Sequence, residues 1–388
     1  MRLNKLIDEA RMAAAGFLAS RIPSSQHIQS NKVVLCAHHG AGYGCNPKYV
    51  AEALLRLAER PLDLVWLSRS YDPAVPSAIR QVRWGSVEAA KEWACATVWI
   101  DNARTRRYVR KKPGQFYVQT WHGCLSPKPL EADIEHMLSS TYIKGAKQDS
   151  KDADLFVCNN DFFEGVIRRS FYYDGPILRS GLPRNAALIL PKADVQERVR
   201  AQLGVPEGTR LCLYAPTFRD DGNLDAFTFD FARCCQTLQQ RFGAPFVFAL
   251  RLHPNDAARS QHVAQAGIID VSSYGDPMEL LLASDVLISD YSSMIEDFAL
   301  LGRPGYQFVP DADSFASTRG LYYDLESRPY PAARTEEELF DVILTTNDDL
   351  FRTKREAFFS QIGLDDDGKG DEAVARVILD VLRQGESN

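Results

Sequence analysis

Short apolar runs alternate with helix-like segments along this chain, and the alternation starts twice. The first series places strands at 32–37, 62–67, 97–100, 115–119 and 155–158, with a helix over 48–60 after the first strand. The second places strands at 210–215, 246–252, 268–270 and 286–289, with helices near 229–242 and over 277–283. A crossover helix is the usual way to bring a chain back to start a parallel strand. The pattern therefore predicts parallel sheets covered by helices on both faces. At 388 residues the chain is too long for one ordinary core, so two domains are expected. The boundary falls in 188–207, where Pro191 precedes a charged helix-like run, giving domains 1–190 and 191–388.

Composition excludes several classes. Apolar residues make up 45% and charged residues 25%, the balance of a soluble globular protein. A net charge of -6 gives no support for a nucleic-acid partner. The eight cysteines (36, 45, 95, 124, 158, 212, 234 and 235) fall mostly in apolar runs without a C-x-x-C pair, as expected of reduced, buried thiols. No apolar stretch approaches the roughly 20 residues that span a bilayer. The N-terminal segment carries Asp8 and Glu9, unlike a cleavable signal, and a cytoplasmic location is expected. Residues Leu3, Leu6, Ile7, Met12, Phe17, Leu18 and Ile22 recur near helical spacing before Pro23. Such a helix either packs on its own domain or lies weakly on a membrane surface.

In open parallel sheets ligands bind beyond the carboxyl ends of the strands. Five polar or glycine-rich stretches follow predicted strands: 38–47, 119–125, 216–222, 253–256 and 290–293. They are expected to converge on one cleft. His122, in Gln119-Thr-Trp-His-Gly123, can take a proton from a hydroxyl near neutral pH, and Gly123 lets a ligand approach the backbone. His253, fixed by Pro254, can donate to a phosphate. Thr217 and Arg219 end another strand with a hydroxyl and a guanidinium. Arg219 is either a phosphate clamp or one half of a surface ion pair with Asp220 or Asp221. Asp290-Tyr-Ser-Ser293 leads from a strand into a helical pattern, placing Ser292 and Ser293 where free backbone N–H groups favour an anion. Walker, dinucleotide and nucleophile-elbow motifs are missing, and no His or Cys spacing suits a metal, so neither metal nor cofactor is expected.

These motifs, in this order, resemble the CDP-glycerol glycerophosphotransferase family of teichoic-acid and capsule primases and polymerases. The resemblance rests on Asn46-Pro-Lys-Tyr-Val50, Gln119-Thr-Trp-His-Gly123, Gly181-Leu-Pro-Arg-Asn185, Tyr214-Ala-Pro-Thr-Phe-Arg219 and Arg251-Leu-His-Pro254. It continues in Ser289-Asp-Tyr-Ser-Ser293 with Asp297, Gly302-Arg-Pro304 and Arg319-Gly320. The resemblance implies a GT-B-type α/β fold, two Rossmann-like domains facing each other across a cleft. It implies an N-terminal acceptor domain and a C-terminal CDP-alcohol domain. By the same likeness His122 is the base, and His253 holds the donor diphosphate. Thr217, Arg219, Ser292, Ser293, Asp297, Arg319 and Gly320 line the donor site, while Asn46 and Gly123 lie on the acceptor side. Phe315 stands where the family usually has a tyrosine. The implied reaction moves glycerol phosphate from CDP-glycerol to a lipid-linked or polymeric acceptor and releases CMP. CDP-ribitol or another nucleotide-activated donor is the alternative, and an inactive polymer-binding scaffold the reading from another class. Its expected seat is the inner membrane face, as a weak peripheral protein.

Overall fold

The structure is a computed structural model that describes residues 27–105, 109–125, 127–217, 219, 228–252 and 267–385. The amphipathic segment 3–22 and His253 lie outside the described residues. The chain forms two compact units.

The first unit contains a seven-stranded sheet in the order β3-β2-β1-β4-β5-β6-β7. Its strands are β1 Gln29–Cys36, β2 Asp63–Ser68, β3 Arg80–Arg83, β4 Ala96–Asp101, β5 Phe116–Gln119, β6 Leu155–Cys158 and β7 Ile177–Arg179. Every pairing is parallel. Central strands are apolar on both faces because helices cover both, and Val33, Val34, Leu35, Val65, Trp66 and Trp99 are fully buried. Sequence order reverses between β1 and β4, so the loops after these two strands diverge and leave a crevice beyond their carboxyl ends.

The second unit repeats the plan with six strands in the order β10-β9-β8-β11-β12-β13. They are β8 Arg210–Ala215, β9 Phe246–Leu250, β10 Ile269–Asp270, β11 Val286–Ser289, β12 Gly305–Phe308 and β13 Ala332–Ala333. All its pairings are parallel too. Here the switch lies between β8 and β11. Tyr214, Phe229, Phe231 and Phe248 pack ring against ring beneath it.

A single cut at 190 does not describe these units. The first takes in the C-terminal segment from Asp365, and the second begins at Ala187 and also includes Leu125–Pro129. The final helix, Gly370–Gln384, presents Val374, Ile378 and Leu382 on one buried face and packs on helix Cys45–Leu57. Arg56 pairs with Asp371 at 2.8 Å to fix that contact. The 188–207 stretch, expected as a connection, is built into the second unit instead. Helix Ala193–Gln202 packs on Pro277–Ala283, and Arg200 bonds Asp285 at 2.7 Å. Local polarity suggested a linker there, but buried Val199 and two paired arginines, Arg200 and Arg198 (to Glu279 at 3.3 Å), dock it.

Candidate active site

In the first unit three neighbouring strands, β1, β4 and β5, each deliver one side chain just past their carboxyl ends. These are His38, Asn102 and His122. The Asn102 side chain accepts the backbone N–H of His38 through Oδ1 at 2.8 Å, and its Nδ2 lies 3.2 Å from His38 Nε2. Its backbone oxygen lies 2.7 Å from His122 Nδ1. A carbonyl only accepts, so Nδ1 of His122 carries the proton and Nε2 is left with its lone pair. The His38 and His122 rings meet edge to face at 5.3 Å.

His122 is therefore held as a neutral, oriented imidazole. Burial lowers its pKa to about 3, helped by the positive potential of His38, Arg184 and His39 and opposed only by the bond to Asn102. The Trp121 ring stacks on the imidazole at 4.3 Å and meets the Phe171 edge at 4.7 Å. Trp121 has φ of +50°, which puts a bulky side chain in the left-handed region. His38, His39 and Cys45 share that region, so strain concentrates around this site.

Buried polar groups hold the strained loop. Asn46, fully buried in the first turn of helix Cys45–Leu57, donates to Thr120 O at 3.1 Å and Trp121 O at 2.9 Å. Its Oδ1 accepts the backbone N–H of Arg184 at 3.0 Å. The guanidinium of Arg184 donates to His122 O at 2.6 Å. Asn46 thus fastens one loop to another. Gly123, next to the histidine in sequence, is buried. Deeper down, Arg104 grips Glu131 through two bonds of 2.8 and 2.6 Å and reaches Asp149 at 3.0 Å.

The second unit assembles its own cluster at the β8/β11 switch. Thr217 N–H donates to both oxygens of Asp290, at 2.8 and 3.0 Å. Arg219 pairs with Asp290 at 2.9 Å and with Asp311 at 2.7 and 3.1 Å, and it donates to Thr217 O at 2.5 Å. Among the described residues its partners are Asp290 and Asp311; Asp220 and Asp221 lie outside them. A guanidinium held by two carboxylates cannot also grip a phosphate in bidentate fashion without releasing one. Tyr291 donates to Asp311 at 2.9 Å and lies flat on Phe315, with ring centroids 3.7 Å apart. Arg219 lies over the Tyr291 ring at 5.0 Å. Partial burial would raise the Asp311 carboxyl, but hydrogen bonds and charge from Arg219, with Tyr291, pull it below the ordinary range. The Thr217 hydroxyl is buried with no hydrogen-bond partner among the described residues.

Ser292 and Ser293 are half-buried beside this cluster. The helix they introduce is short, Met294–Ala299, and the Ser292 hydroxyl accepts Met294 N–H at 3.3 Å. Behind the turn Arg328 donates to Asp290 O, Ser292 O and Gln307 Oε1 at 2.5, 2.9 and 2.7 Å. Its Nε bonds Glu296 Oε1 at 2.6 Å. Asp297 is buried in the same helix. Gly320 follows helix Ala312–Arg319 with φ of +73°, and the Arg319 side chain lies outside the described residues, as does His253. Sequence reasoning missed Asn102, Arg184, Asp290, Asp311, Arg328 and Glu296 as site builders. Asp290 and Asn102 were the findable ones, since each is a polar residue ending or following an apolar strand. Among the described residues, no group of three His, Cys, Asp or Glu side chains is arranged to hold a metal. Nor, among them, is any helix long and apolar enough to cross a membrane.

A sequence profile of the family described as CDP-Glycerol:Poly(glycerophosphate) glycerophosphotransferase matches residues 18–380. A teichoic acid poly(glycerol phosphate) polymerase of Staphylococcus epidermidis is 28% identical over 376 residues, covering 91% of this chain and 51% of the relative. A teichoic acid glycerol-phosphate transferase of Staphylococcus aureus is 27% identical over 380 residues, covering 93% of this chain and 95% of that one. The chain thus spans about half the length of the first relative and nearly all of the second. Among solved structures, a variant of the wall teichoic acid polymerase TagF soaked with CDPG aligns over 100% of both chains. Its TM-score is 0.84 at 25% sequence identity.

Proposed function

The chain belongs to the CDP-glycerol:poly(glycerophosphate) glycerophosphotransferase family, and we propose that it transfers glycerol phosphate from CDP-glycerol to an acceptor hydroxyl. The acceptor oxygen forms a bond to the β-phosphorus, the bond between that phosphorus and the bridging oxygen breaks, and CMP leaves. The acceptor proton passes to Nε2 of His122. The observation that carries this reading is the bond from His122 Nδ1 to Asn102 O, which leaves Nε2 as a fixed lone pair. A base whose pKa lies near 3 is always unprotonated but weak. The anionic donor raises that pKa on binding by placing negative charge near a positively lined ring, and so strengthens the base when it is needed.

The donor side of the reading is supported by the cluster of Thr217, Arg219, Asp290, Tyr291, Ser292 and Ser293. Arg219 and Arg328 hold its backbone in place, and the buried Thr217 hydroxyl is a free polar group at the switch point. Catalysis of this kind depends on positioning and charge neutralisation. The proposed acceptor is lipid-linked or polymeric; the relatives' names, a poly(glycerol phosphate) polymerase and a glycerol-phosphate transferase of teichoic acid, support a polymeric one. The protein meets the membrane surface weakly through the amphipathic pattern of residues 3–22. Vesicle co-sedimentation with and without residues 1–23 tests that contact, and equal binding of the two folded proteins removes it.

CMP release from a donor panel tests the reaction itself. CDP-glycerol should outperform CDP-ribitol, UDP-sugars and GDP-sugars in the presence of a glycerol-phosphate acceptor. A preference for CDP-ribitol would reassign the alcohol, and a preference for UDP-sugars would reject the reading.

A further inference from the structure

The turn that carries Arg184 is held from a distant part of the sequence. Oδ2 of Asp366 accepts from Asn159 Nδ2 at 2.9 Å, Leu182 N at 3.1 Å and Asn185 Nδ2 at 2.8 Å. Its Oδ1 accepts from Gly368 N at 3.1 Å, closing the segment on itself. Asn159 follows β6, and its backbone oxygen accepts Asp365 N–H at 2.7 Å. Leu182 and Asn185 bracket Pro183 and Arg184. One carboxylate therefore ties the end of β6 and both sides of the Arg184 turn to the start of the C-terminal segment.

The fit leaves no slack. A Cβ on Gly181, at φ of +79°, would come within 2.4 Å of Asp366 Oδ1. A Cβ on Gly370 would come within 2.5 Å of Gly181 O. Backbone and carboxylate interlock at distances that a methyl group would break. From this turn Arg184 bonds His122 O, and its N–H anchors Asn46, which holds Thr120 and Trp121.

We propose that Asp366 is a positioning residue for the His122 loop, acting through the 182–185 turn and Arg184 without touching the reacting atoms. The C-terminal segment is thereby part of the active-site frame of the first unit. A carboxylate suits the post because it accepts several N–H bonds at once, where a side chain without an acceptor oxygen would leave buried donors unsatisfied.

The kinetic arm of the test rests on the transferase reading, and the spectroscopic arm does not. Asp366→Ala should lower kcat by about 10- to 100-fold, the cost of misplacing a catalytic group by roughly an ångström, with donor KM within about twofold of wild type. Asp366→Asn, which keeps an accepting oxygen, should recover most of the loss. Arg56→Ala is the comparator. It removes the pair with Asp371 that holds the same C-terminal helix and leaves the turn alone, so it should lower the melting temperature and not kcat. Independently, NMR titration of histidine-labelled protein should place His122 far below its ordinary range, and Asp366→Ala should move it upward. The groups facing that ring are His38, His39 and Arg184, and only Arg184 rides on the turn. If Asp366→Ala is too unstable, Asn185→Ala removes one of the three Oδ2 contacts and should shift the titration in the same direction. Equal loss of kcat in Asp366→Ala and Arg56→Ala would overturn the proposal, as would an unmoved His122 titration in a folded variant. Wild-type protein inactive on CDP-glycerol would reject the transferase reading, while the titration would still decide the role of Asp366.

Discussion

Arg328 and Glu296 form an ion pair of 2.6 Å in which neither side chain reaches solvent. The same guanidinium holds the carbonyls of Asp290 and Ser292, so the pair links the core of the second unit to the turn of the candidate donor site. Burial already pushes the Glu296 carboxyl up, against the pull of Arg328. Without the arginine that carboxyl would be an unpaired buried acid.

Arg328→Ala should therefore cost about 3–5 kcal/mol of stability, measured by urea unfolding. The loss should grow with pH. In the variant the folded-state pKa of Glu296 lies above its unfolded value, so the folded state keeps a proton that the unfolded state gives up. That contribution is present at low pH and fades as pH rises through the folded pKa. Arg328→Met with Glu296→Leu should be less damaging than Arg328→Ala alone, because no charge is stranded. Equal stability of Arg328→Ala and wild type at pH 8 would contradict this account.

The proposed reaction has His122 take the acceptor proton. His122→Ala should lower kcat roughly 10²- to 10⁴-fold while donor KM changes little. The acid limb of kcat/KM for the wild type should lie well below 6.5, since the free enzyme holds this ring neutral with a pKa of about 3. The acid limb of kcat should lie higher, because bound donor raises the same pKa. In stopped assays of CMP release from pH 4 to 8, kcat/KM should stay level toward pH 4 while kcat falls first, and one shared limb at 6.5 would exclude His122 as the titrating base.

The same ring makes stability depend on pH. An unfolded histidine takes up its proton near 6.5, and the folded His122 does so only near 3. Between these values the unfolded state binds more protons, so stability is complete above about 6.5 and falls as pH drops through that window. The slope is at most about 1.4 kcal/mol per pH unit, and the partial exposure of the ring reduces it. Unfolding midpoints at pH 7, 6, 5 and 4 should fall more steeply for wild type than for His122→Asn. Parallel curves would show that the ring is not held neutral by its surroundings.

The sequence exposed the parts of this architecture that depend on local pattern. Strands such as β1 and β11 are dense apolar runs, and a histidine beside a glycine at the end of β5 marks itself. Edge strand β3, Arg-Gln-Val-Arg, has no apolar run because only one side of it is paired, and a pattern search passes over it. The two residues of β13 are too few to make a pattern. Partners chosen by tertiary contact were also hidden. Arg219 pairs with Asp290 and Asp311, which are distant in sequence and which the sheet brings to it. The last helix shows its apolar face in its periodicity, but nothing local names helix Cys45–Leu57 as its partner.

Arg219 provides the sharpest test of scaffold against clamp. If it works by fixing Asp290, Asp311 and Tyr291, then Arg219→Lys and Asp311→Asn disturb one shared arrangement. Lysine keeps the charge but loses the fork that meets Asp311 through two bonds of 2.7 and 3.1 Å. Each single variant should raise the donor KM about 10-fold or more, and the double variant should be little worse than the poorer single one. That pattern corresponds to a coupling energy within the roughly 0.5–3 kcal/mol found for groups in one network. A guanidinium that contacts the donor phosphate directly predicts otherwise. Asp311→Asn would then free the arginine and tighten donor binding, while Arg219→Lys would weaken it. Donor KM for wild type, both single variants and the double variant distinguishes the two, and tighter binding by Asp311→Asn would restore the clamp.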